Sequence, residues 1–563
     1  MACTRTFSPR RLPLGMACAA LAASLALAAA PAGAAPTQPP SPSAPALVLT
    51  KIGSYASSGG QGAAEIPAYD PATQRAFVVN GALRTVEVLD LSDPTTPVLV
   101  TSIATPGFGP DLGGANSVAV AGGIVALAVE AVPRTNPGVV VLLDAATLSL
   151  ISTATVGALP DMLTFTPDGK TLLVANEGEP AAYGTGNAAD DPEGSVSVID
   201  VSKPNEPRVR TADFRAYDGK EAELRRAGVR IFGPGASVAQ DLEPEYITVS
   251  RNGKTAWVTL QENNALAVID VRAAQVTAIL PLGSKDHSLE GQGLDASNED
   301  GGVDTNSGTP VARIVPQPVK GLYMPDSIAS YQVRGRTYLV TANEGDAREY
   351  SGLVEELRVR EYCTAGLDPA VFGADAGRLL FDSNLGRLLI TTTPNGGDNG
   401  KNAAGQCTAL HAFGGRSFTI WDAEGRRVFD SGDALERITL EAAQASGGRF
   451  AFNASHNNNT LDSRSPSKGP EPEGLAVGRI GARIYAFVGL ERVGGIVVYD
   501  VTEPQAPSFV TYVNERSGTI DGDRGPEGLA LVGAEDSPNG KPLLIVGHEV
   551  SGTTVVYQID RLR

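Results

Sequence analysis

The sequence predicts an all-β chain folded as a seven-bladed β-propeller, closed by an N-terminal outer strand and carrying long loop insertions. Three observations point there. A short acidic phrase recurs on a unit of about 40 residues, the period of propeller blades, in Leu159-Pro160-Asp161, Leu242-Glu243-Pro244-Glu245, Met324-Pro325-Asp326, Glu471-Pro472-Glu473-Gly474-Leu475 and Pro526-Glu527-Gly528-Leu529. Each copy opens the same run of strand, tight turn, strand, loop and strand. The last copy stops after its third strand, and a sequence fit to be its fourth stands at the opposite end of the chain.

In chain order, the first element is a targeting segment. Arg5, Arg10 and Arg11 precede an apolar stretch from Leu12 to Ala30, and Pro31-Ala32-Gly33-Ala34-Ala35 offers small residues for cleavage. Residues 1–35 therefore read as a secretory signal peptide, which makes the protein exported, periplasmic or extracellular. Arg10-Arg11 also admits a twin-arginine signal, against which stand Pro13 and the lack of the usual flanking residues. Gly15-Met16-Ala17 is a poor lipobox for Cys18, which argues against a lipid anchor. Residues 36–45 form a Pro/Ser/Ala linker, and 46–563 the propeller domain. No later window reaches about 18 apolar residues, so no transmembrane segment is expected after cleavage.

The most regular unit runs from Glu243 through Val249, turns at Asn252-Gly253-Lys254, returns through Thr255 to Leu260 and continues in Ala265 to Val271. Asn252-Gly253 and Asp168-Gly169 are hairpin signals, because both central positions of such a turn favour φ > 0. The third strand recurs as Val86 to Leu91, Val139 to Asp144, Val196 to Val201, Ile496 to Val501 and Thr554 to Tyr557, and an outer strand follows, as in Pro97 to Thr101 and Pro507 to Thr511. Units begin near Ala64, Ala115, Pro160, Leu242, Tyr323, Pro470 and Gly525, a WD40/YVTN-like pattern of seven. Leu47 to Ile52 follows Pro45 as outer strands follow their prolines, so it is expected to complete the last blade and leave few open edges. A β-sandwich array or open solenoid is the alternative.

Insertions fall at about 211 to 240, 283 to 322, 346 to 413 and 441 to 469, with a short helix at Glu221 to Gly228. Cys3 and Cys18 leave with the signal peptide, so Cys363 and Cys407 are expected to pair inside the third insertion; two free thiols are the alternative. Two Cys and the scattered His287, His411, His456 and His548 make no zinc cluster. Losing three Arg takes the formal charge of −18 to −21, which disfavours nucleic acid and favours cations.

Equivalent positions of a propeller converge. That places Asp161, Glu245, Asp326, Glu473 and Glu527 in one ring near the channel, with Glu177, Glu262, Glu344, Glu491 and Glu549, which close the second strands, beside it. The first two units diverge, with Glu65 and Asn80 in one and Asn116 and Glu130 in the other. Clustered carboxylates repel unless a cation neutralises them, and all-oxygen ligands suit a divalent cation, Ca²⁺ before Mg²⁺ or Mn²⁺. Metal ligands are accordingly expected among Glu177, Glu245, Glu262, Asp326, Glu344, Asp346, Glu473, Glu491, Glu527 and Glu549. The alternative is that these acids accept hydrogen bonds from loop amides. Arg348, His456 and Arg464 accompany them in the insertions and could orient a phosphate, or brace the loops as ordinary ion pairs. Leu294 to Gly302 reads as a solvated acidic turn more than as a calcium loop.

Three stretches carry a family resemblance: Thr341 to Tyr350; Asp462-Ser463-Arg464 with Lys468 to Gly474; and Asn539 to Leu544 with Glu549 to Thr554. They resemble the choice-of-anchor I family of secreted bacterial propellers over residues 45 to 560. Members are often labelled alkaline phosphatase-like or mesenchyme-specific cell-surface glycoprotein-like. The resemblance therefore implies an extracytoplasmic role, with a phosphate ester or a cell-surface ligand as partner. Departures are His456-Asn457-Asn458, where the family motif is more acidic, and an end at Asp560-Arg561-Leu562-Arg563 that carries no sorting signal. Two functions stay open, a metal-dependent phosphomonoesterase and a non-catalytic binding propeller with structural calcium.

Overall fold

The computed structural model describes residues 47–562 apart from Gly186, Asn395, Gly397, Thr519 and Ile520. The signal peptide and linker expected at 1–45 lie outside the described residues. Among those residues the chain forms seven four-stranded antiparallel sheets. Blade 1 comprises Pro67–Asp70, Arg75–Asn80, Thr85–Asp90 and Val98–Ala104. Blade 2 comprises Leu112–Ala121, Ile124–Ala131, Pro137–Asp144 and Leu150–Ala158, and blade 3 Pro160–Phe165, Thr171–Asn176, Ser195–Asp200 and Arg208–Asp213. Blade 4 comprises Pro244–Val249, Thr255–Leu260, Ala265–Asp270 and Gln275–Pro281, and blade 5 Ile328–Val333, Arg336–Asn343, Ser417–Asp422 and Arg427–Asp430. Blade 6 comprises Pro472–Ile480, Arg483–Leu490, Ile496–Asp500 and Ser508–Val513. Blade 7 takes Pro526–Val532, Leu543–His548 and Thr553–Arg561 from the end of the chain and Leu47–Ala56 from its beginning.

Alternation of apolar residues on both faces of the middle strands explains how these sheets stack. A buried cluster lies between each neighbouring pair, for example Phe77 and Val79 with Val118 and Leu127 between blades 1 and 2. Trp257 and Leu266 meet Leu339 and Trp421 between blades 4 and 5, and Val340 and Phe418 meet Val488 and Val497 between blades 5 and 6. Ala76 and Val78 of blade 1 pack on Leu543 and Ile545 of blade 7, so the succession of blades returns to its start. The expected closure strand runs longer than predicted, pairing from Leu47 with Arg561 to Ala56 with Thr553, with a slip between Lys51 and Gly53. At the Asp168-Gly169 and Asn252-Gly253 turns only the glycines take positive φ, 67° and 70°. The Asn252 side-chain oxygen accepts from Lys254 N at 3.0 Å and so caps the turn itself.

The insertions fold on one another. Helix Glu221–Ala227 stands where predicted, with Gly228 at φ 104° closing it, whereas helix Ala434–Ala445 was not foreseen. Cys363 and Cys407 form the expected disulfide, and it is buried with Leu294, Ala296, Val359, Leu385, Leu388 and Ile390 in a small core of its own. The expectation of a solvated turn at 294–302 is therefore corrected. Leu294 pairs with Val315, and Asp295, Ser297 and Asp300 are buried because the third insertion packs over them.

Candidate functional site

The acidic phrase acts through a repeated backbone device. Strand register slips between Pro160 and Leu163, Pro244 and Ile247, Pro472 and Leu475, and Pro526 and Leu529, so the phrase acid sits in a bulge in four blades. A bulge bends the strand and re-aims its side chain. The residue before the proline is left-handed in Leu159, Met324, Glu471 and Gly525, with φ of 46°, 42°, 50° and 65°. Its carbonyl accepts the backbone N–H of the second acid in Glu177 (2.9 Å), Glu491 (2.9 Å) and Glu549 (2.8 Å). Both acids of a blade are thereby fixed at one end of it.

The phrase acids converge as expected. A cavity of about 120 Å³ in the channel is lined by Asn116, Asp161, Tyr246, Asp326, Glu473 and Glu527, among others. Burial, and then repulsion from other carboxylates, pushes Asp161 up to about 7, with Glu65 joining it at about 7. Glu177, Glu245, Asp326, Glu473 and Glu527 are also raised well above the usual carboxylate range, again by burial first and by neighbouring carboxylates second. Among the described residues none of these acids forms an ion pair with a basic side chain, unlike Glu344, Glu471 and Glu491. Glu245, Glu262, Glu473 and Glu527 each keep a buried carboxylate oxygen without a hydrogen-bond partner.

The mouth of the channel carries compensated charge instead. Lys468 Nζ lies 3.0 Å from Glu344 and 3.1 Å from Asp346, and Gln261 Nε2 donates to Glu344 at 3.1 Å. Buried Glu471 takes a forked pair from Arg464 (2.7 and 3.0 Å) and a bond from Arg492 (3.1 Å). Burial alone would raise its carboxyl, but Arg464, Lys468 and Arg492 outweigh that and hold it below the usual range. A cleft of about 490 Å³ opens here between Glu179, Glu262, Asp346, Arg464, Lys468 and Arg492. His456, Glu491 and Glu549 bring one ligand atom each within 4.8 Å of one another, as do Glu344, Glu471 and Glu491. The second trio is already neutralised by Lys468, Arg464 and Arg492, so it has little need of a metal.

The structure gathers His456 and Arg464 at this mouth but not Arg348. Its guanidinium is buried, bonded to Asp241 (2.7 Å), Glu243 (3.2 Å) and the Asp241 carbonyl (2.7 Å), with the Phe232 ring 4.4 Å away. All three guanidinium nitrogens are engaged and the residue is only 2% exposed, so a phosphate has no access to it and the expectation of Arg348 as an orienting group is corrected to that of a brace. Sequence reasoning overlooked Lys468 and Arg492 and set Glu65 aside as divergent. The pairing of Lys468 with Glu344 spans 124 positions and no repeat announces it. Glu65 could have been found from its place two residues before Pro67, the first residue of an inner strand.

A family profile, that of the choice-of-anchor I domain, matches residues 65–504. This chain belongs to the choice-of-anchor I domain family. It is 31% identical to Gigasin-3a of Magallana gigas over 194 residues, which is 32% of this chain and 66% of that protein. It is 30% identical to the mesenchyme-specific cell surface glycoprotein of Strongylocentrotus purpuratus over 363 residues, 58% of this chain and 43% of that one. The chain thus spans under two thirds of the curated relatives that it matches. Among solved structures, Kuenenia stuttgartiensis hydrazine synthase aligns with a TM-score of 0.42 at 13% identity, covering 90% of this chain and 97% of that one. The Cps50 (Swd1) β-propeller domain of Myceliophteria thermophila aligns with a TM-score of 0.41 at 8% identity, covering 91% and 99%. The family match rests on the same segment that holds blades 1 to 5, most of blade 6 and the insertions between them.

Proposed function

We propose that this choice-of-anchor I propeller is an exported binding protein whose channel face takes up a divalent cation, Ca²⁺ before Mg²⁺ or Mn²⁺, and so completes a surface for an extracytoplasmic ligand. One observation carries the reading. Carboxylates from five blades, Asp161, Glu245, Asp326, Glu473 and Glu527, gather in the channel, Glu245 buried and the others half-buried, without a basic partner among the described residues, and three of them keep a buried, unpartnered oxygen. Buried like charges of this kind are costly unless protonated or bound to a cation, and their oxygens are hard donors. Glu177 and Glu262 would add ligands from the second row, and His456 with Glu491 and Glu549 a nitrogen-containing set nearer the surface.

Phosphomonoester hydrolysis is a second reading, favoured by the basic wall of the cleft. Arg464 and Arg492 are each 24% exposed there beside Glu262 and Asp346, so a phosphate could meet guanidinium groups next to a bound cation. A divalent ion would supply electrophilic assistance; Arg464 and Arg492 would hold and orient the anion, and His456, bonded to Arg492 at 2.8 Å, would be placed to move a proton.

The test pairs metal content with turnover. Protein stripped with EDTA is expected to regain thermal stability with Ca²⁺, and Glu245→Gln/Glu473→Gln to lose most of that response. A stripped protein indifferent to every divalent ion would defeat the cation reading. Background-level hydrolysis of p-nitrophenyl phosphate by metal-loaded protein would leave binding alone; activity that survives Arg464→Ala unchanged would exclude this cleft.

A further inference from the structure

The insertions hold a second acidic cluster, away from the channel and unconnected to the repeat. Asp295, Asp300 and Asp462 place one carboxylate oxygen each within 4.8 Å of one another. All three are buried, with exposures of 1%, 8% and 0%. They come from two separate insertions, the one after blade 4 and the one between blades 5 and 6. Among the described residues none of the three forms an ion pair. Arg416 directs its guanidinium to Glu436 (2.7 Å) and to the carbonyls of Asp295, Ser465 and Ser467.

Hydrogen bonds satisfy only part of the cluster. Asp295 accepts from the amides of Arg313 (2.5 Å) and Ser297 (3.3 Å), Asp300 Oδ1 from Val311 N (3.0 Å), and Asp462 Oδ1 from the Ser465 hydroxyl. Asp300 Oδ2 and Asp462 Oδ2 are buried with no partner. An independent observation comes from a neutral side chain. Asn453, fully buried, donates from Nδ2 to the same Ser465 hydroxyl at 2.8 Å and to Glu436 at 3.1 Å, while its Oδ1 has no donor. A buried amide one hydroxyl removed from Asp462, its oxygen bare, and two bare carboxylate oxygens are what a cation would satisfy and what hydrogen bonding has not.

We propose that Asp295, Asp300 and Asp462, with the side-chain oxygen of Asn453, form a Ca²⁺ site that fastens the insertion at 283–322 to the insertion at 441–469. Three carboxylates and an amide oxygen are a donor set for a hard cation and favour Ca²⁺ over zinc, whose sites are usually built on nitrogen or sulfur. The site has a consequence for the channel mouth. Asp462 stands two residues before Arg464, whose amide donates to the Asn453 carbonyl at 2.8 Å, and the same loop continues to Lys468 and Glu471. An ion held by Asp462 would therefore fix the loop that presents Arg464 and Lys468 to the cleft. The site stands on its own residues whether or not the channel binds an ion.

Full-length mature protein, stripped with EDTA, is titrated with Ca²⁺ by calorimetry and native mass spectrometry, alongside Asp462→Asn and the channel variant Glu245→Gln/Glu473→Gln. One Ca²⁺ equivalent is expected to vanish, or to bind at least tenfold more weakly, in Asp462→Asn and to persist in the channel variant. Hydrogen exchange of the wild type, with and without Ca²⁺, keeps the test open should Asp462→Asn misfold: protection is expected to rise in 294–302 and 453–465. An Asp462→Asn protein with wild-type stoichiometry and affinity overturns the site, as does a wild type whose two segments exchange alike with and without the ion.

Discussion

Arg348 donates from all three guanidinium nitrogens to Asp241 and Glu243, and nothing else in its surroundings balances those two buried acids so directly. Replacing it by Met would leave two buried carboxylates unpaired, and a cost of about 3–5 kcal/mol is expected in urea unfolding. A fully stable variant would refute the brace. His411 behaves in the opposite sense to a surface histidine, since burial, Arg230 and Lys320 lower it to about 4 from the usual 6.5. The folded state thus favours the neutral ring. Its contribution to stability is complete above pH 6.5 and is lost as pH falls toward 4, a loss of about 2 kcal/mol at pH 5. His411→Gln should flatten that part of the stability profile; an unaltered profile would assign it to other groups.

Inner strands of adjacent blades approach closely, and the glycine of the Pro-Glu-Gly phrase permits it. A Cβ on Gly474 would lie 1.8 Å from the Glu527 carbonyl oxygen, and one on Gly528 would lie 2.8 Å from that of Glu65. Gly474→Ala is expected to destabilise by at least about 1–3 kcal/mol, since the backbone of blade 7 must shift. Gly377→Ala, whose Cβ meets nothing within 4 Å, serves as a control that should stay within about 0.5 kcal/mol of the wild type. Equal melting of the two variants would contradict the close approach. The same packing explains what could be read from sequence. Blades 3, 6 and 7 open on the same bulged entry, so Pro160-Asp161, Pro472-Glu473 and Pro526-Glu527 repeat in letters as well as in space. Left-handed Leu159 and Met324 were invisible because an ordinary side chain stands there, and only Gly525 betrayed the position. In the insertions no register exists to align, so helix Ala434–Ala445, the Lys468–Glu344 pair and the burial of Asp295 could not be inferred by comparison between units.

For the molecule as a whole, closure depends on the pairing of Leu47–Ala56 with Thr553–Arg561. Deleting residues 47–56 would leave the Thr553–Arg561 edge unpaired and uncover Leu544, Val555 and Tyr557, which pack with Leu47 and Leu49. Self-association in size-exclusion chromatography and a lowered melting temperature are expected, with recovery when a peptide of that strand is supplied. A monomeric deletion variant that melts like the wild type would show that the last blade is stable with three strands. The pairing also sets a timetable. Leu47 and Arg561 are about 500 residues apart, and at roughly 5–20 residues per second of synthesis the first strand waits about 25–100 s for its partner to be made. Through that interval a strand-forming segment is on hand with no edge of its own to join, so any cell that makes this protein must keep its leading end from joining another chain.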